Sequence, residues 1–134
     1  MQTQIFPMLA VSDGNAAVAF YKVAFGAKLL WQLGDEHVVA GLSIDGASFF
    51  LADASPAHGT QGPNSVGFTT VRIELFVNDP FKMYAQALSV GASELNPVKM
   101  HEYETAGPEP IKKMLQGALL DPFGHMWLIG KFVD

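Results

Sequence analysis

Apolar and polar residues fall along this chain in short blocks separated by turn residues. Residues 5–11 form a short apolar stretch that reads as a strand. Ser12-Asp13-Gly14-Asn15 supplies helix-capping residues, and residues 16–25 follow as an amphipathic helix. Ala17, Phe20 or Tyr21, and Ala24 recur at helical spacing, Lys22 faces out, and Gly26 is placed to end the helix. Residues 28–33, 37–44 and 47–52 read as three strands, with Gly34-Asp35 and Asp45-Gly46 as turns. The first part of the chain is thus β-α-β-β-β.

Residues 54–70 are rich in Pro and Gly and read as a linker between that module (1–53) and a second one (71–134). The second module repeats the order. Residues 71–77 are a strand, and Asp79-Pro80 is a helix start, with Asp79 as N-cap. Phe81, Tyr84, Ala85 and Leu88 give the apolar stripe, and Gly91 ends the helix. Pro97 restricts residues 93–100 to an edge or interrupted strand. Residues 101–110 are an irregular loop, and residues 112–120 and 125–131 are closing strands joined through Asp121-Pro122-Phe123-Gly124.

Three segments match between the halves, in the same order. Leu9-Ala10-Val11-Ser12-Asp13 matches Leu75-Phe76-Val77-Asn78-Asp79, and Phe25-Gly26-Ala27 matches Val90-Gly91-Ala92. Gly41-Leu42-Ser43-Ile44-Asp45 matches Gly117-Ala118-Leu119-Leu120-Asp121. Internal duplication is the reading that accounts for all three. The expected fold class is α+β: two tandem βαβββ modules forming a curved mixed sheet around a cavity. Pairing of modules, within one chain or between two in a homodimer, would shelter the sheet faces that the helices leave bare.

Composition narrows the function. A chain of 134 residues with 49% apolar residues can bury a core, so disorder is not expected. The net charge of -5, with eight scattered Lys and Arg, argues against nucleic acid as a partner. The absence of Cys removes disulfides, thiolate metal sites and cysteine nucleophiles, and it fits a cytoplasmic protein. Met1-Gln2-Thr3-Gln4 lacks the basic start of a signal peptide, and no apolar run has the length of a membrane span.

The segment Phe20-Tyr21-Lys22-Val23-Ala24-Phe25-Gly26-Ala27 and the turn Asp121-Pro122-Phe123-Gly124-His125, set in two βαβββ modules, resemble the vicinal oxygen chelate superfamily. That group includes glyoxalase I, bleomycin-resistance and fosfomycin-resistance proteins and extradiol dioxygenases. The two motifs look most like its PhnB-like branch. The resemblance implies a ligand cavity and, in the enzymes of the group, a divalent metal held by His and Glu on the first and last strands of the modules. Matched position by position, those ligand sites fall at Phe6, Phe50, Arg72 and Leu128. Arg cannot coordinate a cation, and Phe and Leu offer no donor. The expectation is therefore a cavity without metal or other cofactor.

Arg72 and Glu74 share one face of their strand. If that face lines the cavity, Arg72 would hold a carboxylate, phosphate or phenolate. Glu74 would bind an amine or act as a general base, which makes it the candidate catalytic residue. The alternative is that both point to solvent or form an interface salt bridge, since alternation alone does not say which face is inside. Phe6, Phe50, Trp127 and Leu128 are the expected walls, and His101, in the loop after the sixth strand, is a further candidate ligand contact. The other histidines, His37, His58 and His125, have no metal-site spacing. Together these residues point to a homodimeric protein that binds a small planar or amphipathic molecule, with resistance by sequestration as one use. The alternative is a metal-dependent lyase, isomerase or dioxygenase of glyoxalase type with a non-standard ligand set.

Overall fold

The structure is a computed structural model that describes residues 1–133. It divides into two compact units, Met1–Thr69 and a second beginning at Thr70. Each unit carries its own four-stranded mixed sheet and a helix packed on one sheet face.

In the first unit β1 (Met8–Val11) leads into α1 (Gly14–Phe25), β2 (Lys28–Leu33), β3 (Val39–Ile44) and β4 (Ala47–Asp53). The sheet order is β1-β4-β3-β2, with β1 parallel to β4 and the other pairs antiparallel. The Asp13 carboxylate accepts the Ala16 N–H at 3.0 Å and caps α1, and Gly26 closes the helix in a left-handed conformation. Asp45 and Gly46 both have positive φ (49° and 90°), the two-residue hairpin turn whose twist matches the flanking strands. Asp53 at the end of β4 accepts the N–H groups of Gly14 and Val38 at 2.6 and 2.8 Å, joining the starts of α1 and β3 to the sheet. Alternation puts Leu9, Val11, Leu42, Phe49 and Leu51 under the helix face formed by Ala17, Tyr21 and Ala24, all buried.

The first strand is shorter than expected. It starts at Met8 because Pro7 has no N–H to give to a ladder, although the Pro7 carbonyl still accepts the Phe50 N–H at 2.8 Å. The segment 54–70 contains a 3-10 turn at Pro56–His58 and a short helix, α2 (Pro63–Val66).

In the second unit β5 (Arg72–Phe76) is followed by α3 (Pro80–Ser89), β6 (Ser93–Glu102), β7 (Lys113–Leu120) and β8 (Met126–Val133). The order is β5-β8-β7-β6, with β5 parallel to β8. Asp79 caps α3 through the Lys82 N–H at 3.1 Å. The buried stripe of α3 is Pro80, Tyr84 and Ala87, whereas Phe81 and Ala85 face outward, so the expected stripe is rotated. Tyr84 sets that rotation. Its hydroxyl is shared between the carbonyls of Asn96 (2.8 Å) and Ala118 (3.0 Å), which ties α3 to β6 and β7. Burial, with the Glu94 carboxylate nearby, pushes the Tyr84 phenol well above its usual range. Strand β6 lies at the sheet edge with two register irregularities around Pro97, as a Pro in a ladder requires.

The duplication is present, with one register shift. Gly41 pairs with Phe50, and Ala118 pairs with Leu128. The structural counterpart of Gly41 is therefore Ala118, one residue past the Gly117 that the sequence match selects. The hairpin loop is longer in the second unit, so the sequences drift by one while the burial of Leu119 and Trp127 under α3 holds the sheet register. Among the described residues no helix is long and apolar enough to cross a membrane.

Candidate functional site

The site begins with the alternation along β5. Leu75 is buried toward α3, whereas Arg72, Glu74 and Phe76 project from the opposite face. In the parallel pairing with β8, Arg72 lies beside Met126, Glu74 beside Leu128 and Phe76 beside Gly130. On β7, Met114, Gln116 and Ala118 occupy the same face, because Gln116 pairs with Gly130 and Ala118 with Leu128. Of these, Arg72, Glu74, Met114, Gln116 and Leu128, with Thr70, Val71 and Tyr103, line an open cleft of about 480 Å³. That is within the range of small-molecule sites, about 300–1,000 Å³.

The polar groups of the cleft are arranged unequally. The Gln116 amide donates from Nε2 to Glu74 Oε1 at 3.0 Å, and the same nitrogen lies 3.8 Å from Met114 Sδ. Arg72 sits two residues from Glu74 on the same face. Yet it makes no ion pair with Glu74, and its side chain has no hydrogen bond among the described residues. The apolar side chains of the lining are Val71, Met114 and Leu128. Tyr103, at one side, stacks on His101 with ring centroids 6.1 Å apart, and His101 Nε2 lies 3.2 Å from the Gln116 carbonyl. His101 belongs to β6 rather than to the loop, and it reaches the cleft through Tyr103.

Trp127 stands elsewhere. It projects toward α3, is 1% exposed, and donates its indole N–H to Asp121 Oδ2 at 2.9 Å. It is a core residue and not a wall of this cleft, because neighbours along a strand point to opposite faces and Leu128 takes the cleft side. Phe6 and Phe50 belong to the first unit, on the sheet face away from α1. Their rings stack at 4.7 Å, and Trp31 meets Phe50 edge-on at 5.0 Å. The indole of Trp31 lies over Gly41, where a Cβ would collide with it.

The structure therefore brings Arg72, Glu74 and Leu128 together in the cleft, with His101 one residue removed. It gathers Phe6 and Phe50 in a separate aromatic cluster and withdraws Trp127 into the core. Met114, Gln116 and Tyr103 are additions that sequence reasoning missed. Met114 and Gln116 have a period-two signal on β7, but only the β7–β8 register assigns that signal to the face of Arg72.

The donor set can be tested against a divalent metal. The cleft carries one carboxylate, Glu74, beside a guanidinium that would repel a cation. Among the described residues no group of three or more His, Cys, Asp and Glu side chains converges as a metal site would require. The residues of this face do not fit a metal of the glyoxalase type.

A four-stranded mixed sheet with its first and last strands parallel and one covering helix, present once in each unit, defines an α+β protein of two tandem modules. Residues 4–129 match the glyoxalase/bleomycin resistance protein/dioxygenase superfamily, and the chain belongs to that family. An uncharacterized protein of Mycobacterium bovis is 30% identical over 98% of this chain and 84% of its own length. The X-ray structure of an Arabidopsis thaliana gene product is 28% identical with a TM-score of 0.70, covering 98% of this chain and all of that one (100%). A bleomycin-binding protein in complex with bleomycin is similar in fold, with a TM-score of 0.62 and 19% identity, covering 98% of this chain and 100% of that one. At that identity the likeness is one of fold alone.

Proposed function

We propose that this chain binds a small planar or amphipathic molecule in the cleft of its second unit without a metal, and that it acts as a cytoplasmic homodimer. The observation that carries this reading is the common face of Arg72 and Glu74 in a cleft they share with the apolar side chains of Met114 and Leu128. Arg72 would hold an anionic group, Glu74 a donor group, and these apolar side chains the apolar body of the ligand. Similarity in fold to a bleomycin-binding protein supports resistance by sequestration as the biological use. Homodimer formation is supported by the first unit's sheet, whose face away from α1 keeps Phe6, Met8, Trp31 and Leu33 exposed.

Calorimetric titration with a panel of aromatic and glycopeptide antibiotics tests the binding function. Micromolar or tighter binding of one member is expected. Failure of every member to bind folded protein would remove the sequestration reading.

A further inference from the structure

Resting on that reading of the cleft, we propose that its ligand is a zwitterion, a free amino acid with an apolar or aromatic side chain. Its carboxylate would pair with Arg72, its ammonium would be accepted by Glu74 and Gln116, and its side chain would lie on Met114 and Leu128.

Three observations converge on this ligand. Opposite charges two residues apart on one strand face stand roughly 6–7 Å apart at the backbone, close enough for their side chains to meet. Here they do not: among the described residues Arg72 and Glu74 form no ion pair. Glu74 is instead engaged by Gln116, whose amide donates to Oε1 at 3.0 Å. Two unpaired opposite charges lining one cleft can both be answered by a molecule carrying both complementary charges.

The orientation of Gln116 adds a second acceptor. A carboxylate accepts and cannot donate, so the Gln116 amide must turn its NH₂ to Glu74. Its own carbonyl oxygen is then left to accept, as is the second oxygen of Glu74. An ammonium group, with three donors, matches such a pair of acceptors. Arg72, whose side chain has no hydrogen bond or ion pair among the described residues, matches a carboxylate in a two-bonded fork.

The third observation is the penalty on partial matches. A ligand with only the acid would cover Glu74 and leave it without its ionic partner, and one with only the amine would do the same to Arg72. Each costs the desolvation of an unanswered charge. The apolar lining and the Tyr103 ring suit a hydrocarbon or aromatic side chain.

The test is calorimetric titration of the full chain with three probes: L-phenylalanine, L-phenylalaninamide (no carboxylate) and 3-phenylpropanoate (no amine). Wild type should bind phenylalanine about tenfold or more tightly than either of the others. Arg72→Met should erase the preference over the amide and keep that over phenylpropanoate. Glu74→Gln should do the reverse. Both side chains are exposed, so these variants should fold, as circular dichroism checks. Equal binding of all three probes, abolished by Leu128→Arg, would overturn the zwitterion and leave the cleft as the site. Preferences that persist in both variants would overturn the zwitterion and this cleft together. Absence of phenylalanine binding also overturns the zwitterion, and the antibiotic panel then judges the cleft on its own.

Discussion

Asp121 is the residue on which the closing strand of the second unit depends, and its removal has a calculable cost. The side chain is 4% exposed. Oδ1 accepts the N–H groups of Phe123 (2.9 Å) and His125 (3.0 Å), and Oδ2 accepts Trp127 Nε1 (2.9 Å). Hydrogen bonds to a charged acceptor contribute about 1.5–3 kcal/mol each. Three would sum to about 5–9 kcal/mol, but neighbouring bonds are not additive and the turn can relax. Asp121→Ala should therefore cost about 3–6 kcal/mol, a large share of the roughly 5–15 kcal/mol that stabilises a domain. Asp121→Asn separates the parts. Its amide oxygen can replace Oδ1 and keep both backbone donors, but its NH₂ then faces the indole N–H, donor against donor. The expected cost is about 1–3 kcal/mol, and it should shrink when the indole donor is removed by Trp127→Phe. Urea unfolding followed by far-ultraviolet circular dichroism measures all four corners of this cycle. The reasoning is refuted if Asp121→Ala costs less than about 1 kcal/mol, or if Asp121→Asn costs the same with and without Trp127.

Other predictions rest on single features. Tyr84→Phe should cost about 1–3 kcal/mol, because the shared hydroxyl bond to Asn96 and Ala118 is lost. Its pH signature follows from the raised phenol. The unfolded phenol ionises near pH 10 while the folded one keeps its proton, so this contribution is complete below about pH 10 and is lost as pH rises toward the folded value. The wild-type advantage over Tyr84→Phe in urea should narrow above about pH 10; a gap that widens there would contradict the assignment. Gly41→Ala should displace the Trp31 indole at a cost of about 1–3 kcal/mol and alter the near-ultraviolet dichroism, whereas an unchanged spectrum would mean the indole does not lie on Gly41. Trp127→Phe should leave ligand affinity within about threefold, and Leu128→Arg should weaken it about tenfold or more. The opposite order, measured by titration, would reverse the two faces of β8.

Much of this fold is legible from local chemistry. Asp13 and Asp79 announce helix starts, Asp45-Gly46 a tight hairpin, and Pro97 an edge strand, because each acts through its own backbone or that of close neighbours. What escaped is set by distant pairing. Nothing near Trp127 in sequence says that it, and not Leu128, turns under α3; the β5–β8 and β7–β8 registers decide that. The rotation of α3 that exposes Phe81 comes from Tyr84 reaching a carbonyl on β7, 34 residues away. The site divides in the same way. The shared face of Arg72 and Glu74 follows from a period of two, but Gln116, which donates to Glu74, is 42 residues distant and enters only through the sheet.

The central claim is ligand binding by Arg72 and Glu74 without a metal. The most direct measurement is calorimetric titration of the tightest binder among the antibiotic panel and L-phenylalanine into protein dialysed against a chelator, wild type beside Arg72→Met, with elemental analysis of protein purified without chelator. The account predicts no stoichiometric divalent metal, full binding after dialysis, and a loss of about 10–100-fold in Arg72→Met, the equivalent of one charge-assisted contact. A stoichiometric metal whose removal abolishes binding, or an affinity indifferent to Arg72→Met, would contradict it.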